Sequence, residues 1–125
     1  MCNLFCFEQE SIVSEAGFYL EVLGMGYTSK VYENEYVYAF KDINPMAPVH
    51  VLVVPKEHIC CADAVNTDNS IYVAKIFEAI PEIAKELGLC NGYRIINNCG
   101  EDGCQSVKHL HFHVLGGKKL PETLA

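Results

Sequence analysis

The sequence predicts an α+β domain: a mainly antiparallel five-stranded sheet with one long helix and a short amino-terminal helix. Three observations predict it. From residue 30 onward, short runs of β-branched and aromatic residues alternate with turn residues. A stretch from about residue 68 to 87 repeats its apolar residues with a helical period. Two more strand-like runs follow, which gives the order β-β-β-α-β-β.

Each element has its own signal. Ser14 to Leu23 can form a short helix, ended by Gly24 and Gly26. Lys30 to Glu33 and Tyr36 to Phe40 are the first strand pair, with Asn34-Glu35 as a tight turn between them. Pro45 pushes Asn44 out of helical geometry, so Asp42 to Pro45 breaks the chain before a third strand at His50 to Val54. Asp68 or Asn69 caps the long helix, and Gly88 stops it. Its expected apolar stripe is Ile71, Ala74, Phe77, Ile80, Ile83, Ala84 and Leu87, with a kink at Pro81. Tyr93 to Asn97 and His109 to Leu115 are the closing strands, and Gly116-Gly117 ends the last.

Bulk properties narrow the function. A chain of 125 residues has room for a single domain, 1–125, within which 1–27 is an irregular amino-terminal region. The formal net charge is -7, from 16 acidic and 9 basic residues, so the basic surface a nucleic acid needs is missing. A small anionic ligand remains compatible, because one concave site can be locally positive. No apolar run reaches the roughly 18 residues of a membrane helix. The first basic residue is Lys30, so no positive region of a secretory signal precedes it, and the cytoplasm is the expected compartment. The seven cysteines form an odd set in a chain long enough for a core, which favours reduced thiols.

The most informative segment is His109-Leu110-His111-Phe112-His113-Val114. On a strand the three imidazoles would share one face, about 7 Å apart, with Leu110, Phe112 and Val114 on the other. A lone histidine would be read as a solvent-facing or satisfied side chain. Three within five residues call for chemistry. Two chemistries remain open on the residues alone. Three imidazoles and a water can hold a catalytic zinc. Alternatively, a neutral imidazole can attack phosphorus while a neighbouring ring and backbone N–H groups hold the phosphate oxygens. The preceding Gly100-Glu101-Asp102-Gly103-Cys104-Gln105-Ser106 supplies a glycine-containing loop with amide and hydroxyl donors for the second. No carboxylate stands near the triplet as an obvious general base for the first.

The segment from Asn98 to Gly117 resembles the catalytic segment of the histidine triad (HIT) family, in its Hint branch. Phe40 to Ile59, read as Phe-Lys-Asp-Ile-Asn-Pro-Met-Ala-Pro-Val-His and onward, is similar to that branch's substrate pocket. The resemblance covers residues 29–120 and implies the HIT-like fold. It implies hydrolysis of nucleoside 5′-monophosphate conjugates, purine nucleoside phosphoramidates in particular, with a small-molecule nucleotide substrate. His111 would be the nucleophile that forms a covalent nucleotidyl-histidine. His113 would hold a phosphate oxygen and His109 would support the active-site ring. Ser106 and Gln105 would assist the phosphate and leaving group, and Asn98 would contact the phosphate or ribose side. Asp42 would accept hydrogen bonds from the ribose diol, with Phe40 and Ile43 against the base and His50 beside the triad. A carboxylate suits a diol because it only accepts and the diol donates. Read without the resemblance, Asp42 could instead cap the turn before Pro45, and Ser106 could bond its own loop.

The resemblance further implies a homodimer with joined sheets and no cofactor required for turnover. Many relatives carry a Cys-x-x-Cys pair that holds a structural zinc with two histidines. Here the pair is Cys2 and Cys6, one residue further apart, so a zinc site of Cys2, Cys6, His50 and His109 is an expectation to test. Cys104 stands where Hint relatives often have glycine, and the tail from Lys118 to Ala125 has no tryptophan. A dinucleoside polyphosphate hydrolase and a nucleotide-binding scaffold with weak activity are the alternatives. The nucleotide-transferring branch typically has glutamine at the third triad position, where this chain has His113.

Overall fold

The computed structural model describes residues 29–123, so the short helix expected at 14–23 and the thiols of Cys2 and Cys6 lie outside the described residues. Strand β1 (Lys30–Glu33) turns into β2 (Val37–Lys41) through Asn34. The Asn34 side-chain oxygen accepts from the backbone N–H groups of Tyr36, at 2.8 Å, and Val37, at 2.9 Å. A short asparagine side chain can satisfy a turn in this way without a glycine. The third strand, β3 (Val49–Pro55), pairs antiparallel with β2 from Val37↔Pro55 to Lys41↔Val51.

After a short 3-10 turn at Ala62–Ala64, helix α1 (Ser70–Glu86) runs as one continuous element through Pro81. Its end is closed by Gly88 at φ +76°, with Gly88 N–H donating to Lys85 carbonyl and Leu89 N–H to Ala84 carbonyl. That pair of bonds satisfies carbonyls the helix would otherwise leave unpaired. Strands β4 (Tyr93–Ile96) and β5 (Phe112–Gly116) complete an antiparallel sheet in the order β1-β2-β3-β5-β4. The expected five-stranded α+β fold is the one observed.

Alternation along the strands gives the sheet two different faces. Val37, Ala39, Val51, Val53, Phe112 and Val114 pack with Ile76, Ala79, Ile80, Ile83 and Ala84 of α1 in one buried cluster. The other face carries Tyr38, Phe40, His50, Leu52, His113 and Leu115, together with Arg94 and Ile96. The helix stripe needs correction. Ile71 and Phe77 are each 46% exposed, whereas Ile76 and Ala79, left out of the sequence reading, are buried. The helix is apolar over more than half its circumference, so its period alone does not say which arc meets the sheet.

Replacing a fully buried aliphatic side chain by alanine removes its burial and leaves a cavity. Ile83→Ala is therefore expected to cost about 2–5 kcal/mol in urea denaturation, against less than about 1 kcal/mol for the half-exposed Ile71→Ala. The reverse ranking would mean that α1 presents its other arc to the sheet.

Candidate active site

The last strand starts at Phe112, not at His109, so only His113 of the three histidines takes part in strand pairing. The expectation of three rings on one face of one strand is corrected accordingly. His111 and His113 do meet, with ring centroids 5.2 Å apart. His109 turns away and is fully buried, its Nε2–H donating to the Pro55 carbonyl at 3.2 Å and its ring beside that of His58. Irregular backbone before the strand breaks the two-residue alternation that would have aligned it.

What His109 offers its neighbour is its backbone. The His111 Nδ1–H donates to the His109 carbonyl at 2.7 Å. A carbonyl only accepts, so Nδ1 carries the hydrogen, and the lone pair of the neutral ring is on Nε2. The His111 carbonyl accepts in turn from the Asn97 side-chain amide at 2.9 Å. Sequence reasoning singled out Asn98 and missed Asn97. The only signal for it is its place at the end of the strand adjoining β5.

A second chain of hydrogen bonds fixes His113. The Met46 backbone N–H donates to His50 Nδ1 at 3.0 Å, so the other nitrogen of a neutral His50 carries the hydrogen. His50 Nε2 lies 2.9 Å from His113 Nδ1, and 3.4 Å from an Asp42 oxygen. His113 Nδ1 therefore accepts, and its Nε2 is left as a donor. The two neighbouring rings end up with opposite outward faces: a lone pair on His111 and an N–H on His113.

Burial favours the neutral form of His109, His113 and His50. It pushes His109 down to about 3, reinforced by His58, and His113 down to about 4, reinforced by His111 and His50. Burial also lowers His50, with the Asp42 carboxylate pulling the other way.

The remaining predicted residues separate into groups. Gln105 is buried with its amide fully engaged. Its Nε2 donates to the carbonyls of Cys60 and Val107, at 2.7 and 2.8 Å, while its oxygen accepts from Gly100 N–H at 3.0 Å. It braces the loop that precedes the histidines. Ser106 is exposed on that loop. Gly103 presses on Cys99 so closely that an added Cβ would sit 2.6 Å from the Cys99 carbonyl oxygen. Cys104 takes φ +60°, a left-handed conformation that costs any side chain and suits the glycine that relatives often have. Asp42 accepts from Asn44 N–H at 2.8 Å in the turn before Pro45 while also standing beside His50. Ile43 is 49% exposed and open to a ligand, whereas Phe40 is fully buried against Tyr38. Asn98 lines a cavity with His50 and His113.

The structure does not bring His50 and His109 to one metal site: His50 meets His113 and Asp42, and His109 meets His58. His58, which the sequence does not single out, lies with its Nδ1 3.0 Å from His109 Nδ1. Asp42, His50 and His113 do offer three ligand atoms within 4.8 Å of one another. Two nitrogens on one tetrahedral zinc stand roughly 3.3 Å apart, from bonds of about 2.0 Å. The 2.9 Å between His50 and His113 is a hydrogen bond, and the Met46 N–H already sets its direction. The cluster fits a proton-ordered relay better than a cation. Among the described cysteines Cys61, Cys90, Cys99 and Cys104 are free thiols.

The profile of the HIT domain family matches residues 25–120. An uncharacterised HIT-like protein of Rickettsia prowazekii is 46% identical over 92 residues, covering 72% of this chain and 77% of its own. Among solved structures, a HIT family hydrolase from Clostridium thermocellum is 39% identical, with a TM-score of 0.78 over 90% of this chain and 99% of that one. A histidine triad nucleotide-binding protein from Candida albicans is 28% identical, with a TM-score of 0.65 over 85% and 83% of the two chains. No helix among the described residues is long and apolar enough to cross a membrane.

Depressed histidine pKa values have a measurable consequence. Below about pH 6.5 the unfolded chain binds protons that the folded rings refuse, so stability is complete above that pH and falls as acid is added. His109 alone contributes a slope of about 1.4 kcal/mol per pH unit between its unfolded value and about 3. The urea midpoint is expected to be lower at pH 5.5 than at pH 7.5. An unchanged or higher midpoint would show that these rings are charged in the folded protein.

Proposed function

The chain belongs to the HIT domain family, and from that premise we propose that it hydrolyses nucleoside 5′-monophosphate conjugates, purine nucleoside phosphoramidates in particular, through His111. One observation carries the reading. Two touching imidazoles are held in opposite hydrogen-bonding senses, each by a backbone group: His111 through the His109 carbonyl, and His113 through His50 and the Met46 N–H. Attack at phosphorus needs just this pair, a lone pair beside a donor for the phosphate oxygens.

The His111 Nε2 lone pair forms a bond to phosphorus as the phosphorus–nitrogen bond to the leaving amine breaks. The bonding electrons stay on the amine nitrogen, which takes up a proton from the exposed Ser106 side of the site or from solvent. Water then attacks the phosphorus, the His111–phosphorus bond breaks, and a proton is released. The products are the amine and the nucleoside monophosphate, with His111 neutral again. His113 Nε2–H holds a phosphate oxygen throughout, and its low pKa keeps it a neutral donor at physiological pH. His109 acts as a positioning residue through its carbonyl, and Gln105 as a brace of the loop. Asp42 accepts from the ribose hydroxyls, using lone pairs left over from Asn44 and His50, and Ile43 covers the base. Asn98 reaches the phosphate from the cavity wall. A structural zinc on Cys2 and Cys6 would not find His50 and His109 together, since His50 meets His113 and His109 meets His58.

The test is hydrolysis of an adenosine phosphoramidate by wild type and His111→Ala, each with and without chelator. A loss of about 10³-fold or more in the variant, with the wild type indifferent to chelator, is the expected outcome. Undiminished turnover in the variant would end the covalent mechanism. A wild type that binds the nucleotide without turning it over would be a binding protein.

We also place a second copy of the chain along β4. Among the described residues this strand pairs with β5 on one side only, and its edge residue Tyr93 is 37% exposed. An unpaired antiparallel edge is a template for its own two-fold copy. Sedimentation equilibrium at micromolar concentration should give twice the 13.9 kDa chain mass, and a monomer there would rule the pairing out.

A further inference from the structure

Two free thiols meet beside the loop that leads into the histidines, and the proposed hydrolysis uses neither. Cys61 stands just before the 3-10 turn at Ala62–Ala64, and Cys99 opens the loop that runs on to Ser106. The Cys61 thiol is in hydrogen-bonding contact with the Cys99 thiol, although α1 and β4 lie between them in the chain. The Gln105 amide fastens the same seam. It donates to the carbonyl of Cys60, the residue before Cys61, and accepts from the N–H of Gly100, the residue after Cys99. Two segments distant in sequence are thus held together at one point, and each brings a thiol to it. Neither thiol belongs to β4 (Tyr93–Ile96), the strand along which the second copy is placed.

Backbone geometry selects Cys99 as the partner of Cys61. Cys60 Sγ also lies close to Cys61 Sγ, at 3.1 Å. Adjacent residues, however, have Cα atoms about 3.8 Å apart, short of the roughly 4.4–6.8 Å that a disulfide spans. Cys61 and Cys99 come from separate segments and meet no such limit. Their surroundings also divide the labour. Burial raises the Cys61 thiol above its ordinary value, and the Cys99 thiol beside it adds to the rise. A buried, protonated thiol is a poor first nucleophile, so the half-buried Cys99 is the one an oxidant meets.

We propose that Cys61 and Cys99 form a redox site, at which a hydroperoxide converts the two thiols into a reversible disulfide that displaces the loop beside His111. The Cys99 sulfur, as thiolate, attacks the terminal peroxide oxygen and the O–O bond breaks. The alkoxide or hydroxide released takes up the proton that Cys99 lost. The Cys61 sulfur then attacks the sulfur of the Cys99 sulfenic acid, the S–O bond breaks, and hydroxide leaves as water with the Cys61 proton. The two thiols lose two electrons together, and the peroxide is reduced to an alcohol and water, or to water alone.

Drawing the sulfurs from contact to a bond of about 2.05 Å requires one segment to move. Cys61 is buried and its carbonyl accepts from Ala64 N–H at 3.0 Å, so the Cys99 side yields. Gly103 rests on the Cys99 backbone with no room for a Cβ, so the loop moves with Cys99. Two residues before Cys99 stands Asn97, whose amide holds the His111 carbonyl. The link therefore pulls on the support of the nucleophile. Its effect on turnover rests on the function proposed above, whereas the link itself does not.

The test treats the reduced full chain with hydrogen peroxide and maps its peptides by mass spectrometry without reductant. The expected product is a Cys61–Cys99 link that dithiothreitol reverses. Hydrolysis of the adenosine phosphoramidate should fall by about tenfold or more on oxidation and return with dithiothreitol, since a displacement of about 1 Å near the chemistry costs that much or more. Cys61→Ala and Cys99→Ala should each match the reduced wild type and ignore peroxide, with thermal unfolding confirming that the fold is kept. Absence of the link, or a link from either thiol to another cysteine or to a second copy, would overturn the proposal. So would a Cys61–Cys99 link that leaves turnover unchanged, or variants as sensitive to peroxide as the wild type. A reduced chain that cleaves no phosphoramidate would overturn the proposed function alone, because the mapped link is read without turnover.

Discussion

One hydrogen bond, from the His111 ring to the carbonyl two residues before it, decides what the three histidines can do. At 2.7 Å it fixes which nitrogen of His111 holds the proton. The bond is only as definite as the carbonyl, and the carbonyl is held from several sides. Its own residue's ring is buried against Pro55 and His58. The next residue, Leu110, donates its backbone N–H to Ile59 and is itself buried. Asn97 then catches the His111 carbonyl. The segment from 109 to 111 is irregular by strand rules, yet every backbone group just named has a partner. Irregular backbone of that kind can aim a ring in a direction that alternation on a strand does not offer.

The same economy runs through the second ring. A histidine is ambiguous by nature, because its two nitrogens exchange roles with one proton. Here the ambiguity is removed from outside the ring set, by an amide N–H at Met46 that can only donate and a carbonyl at His109 that can only accept. For His113, burial also disfavours the doubly protonated state. Neutral rings in a known tautomer are what a nucleophile and an oxygen donor require. An acidic protein gains here too. Neutral imidazoles and amides can bind a phosphate without the cluster of cations that the net charge of -7 argues against.

Much of the architecture was legible because it depends on local pattern. The strand runs, the Asn34 turn, the Gly88 stop and the order of elements follow from residue preferences that act over a few positions. The pairing of His111 with His113 was legible for the same reason. What escaped depends on contacts between distant segments. Residue 58 meets 109, and 50 meets 113, across 51 and 63 residues of chain. Gln105 reads as a substrate contact from its place in the loop, but its amide finds Cys60 across the fold. The start of β5 at Phe112 was missed because a strand pattern in the side chains continues upstream of the point where the backbone leaves the sheet. The helix arc was misjudged since apolar residues on both sides of α1 satisfy the same period, and only docking chooses between them.

The two faces of the sheet bind stability and chemistry to each other. Val51, Val53, Phe112 and Val114 lie on the face that α1 covers, and His50, Leu52, His113 and Leu115 alternate with them. Sliding β5 by one residue against β3 would turn the valines out of the core and His113 into it. The apolar alternation therefore enforces the alignment of His50 with His113 as strictly as it enforces the core, although no valine touches a ligand. Arg94 and Ile96 on β4 inherit their positions the same way, through Leu115 and His113. Substitutions that shift register should thus disturb the His50–His113 pair and the cavity wall together, whereas substitutions on the open face can change the cavity and leave the core intact. A sheet built this way lets its open face vary while the His111 ring stays fixed by a backbone bond elsewhere.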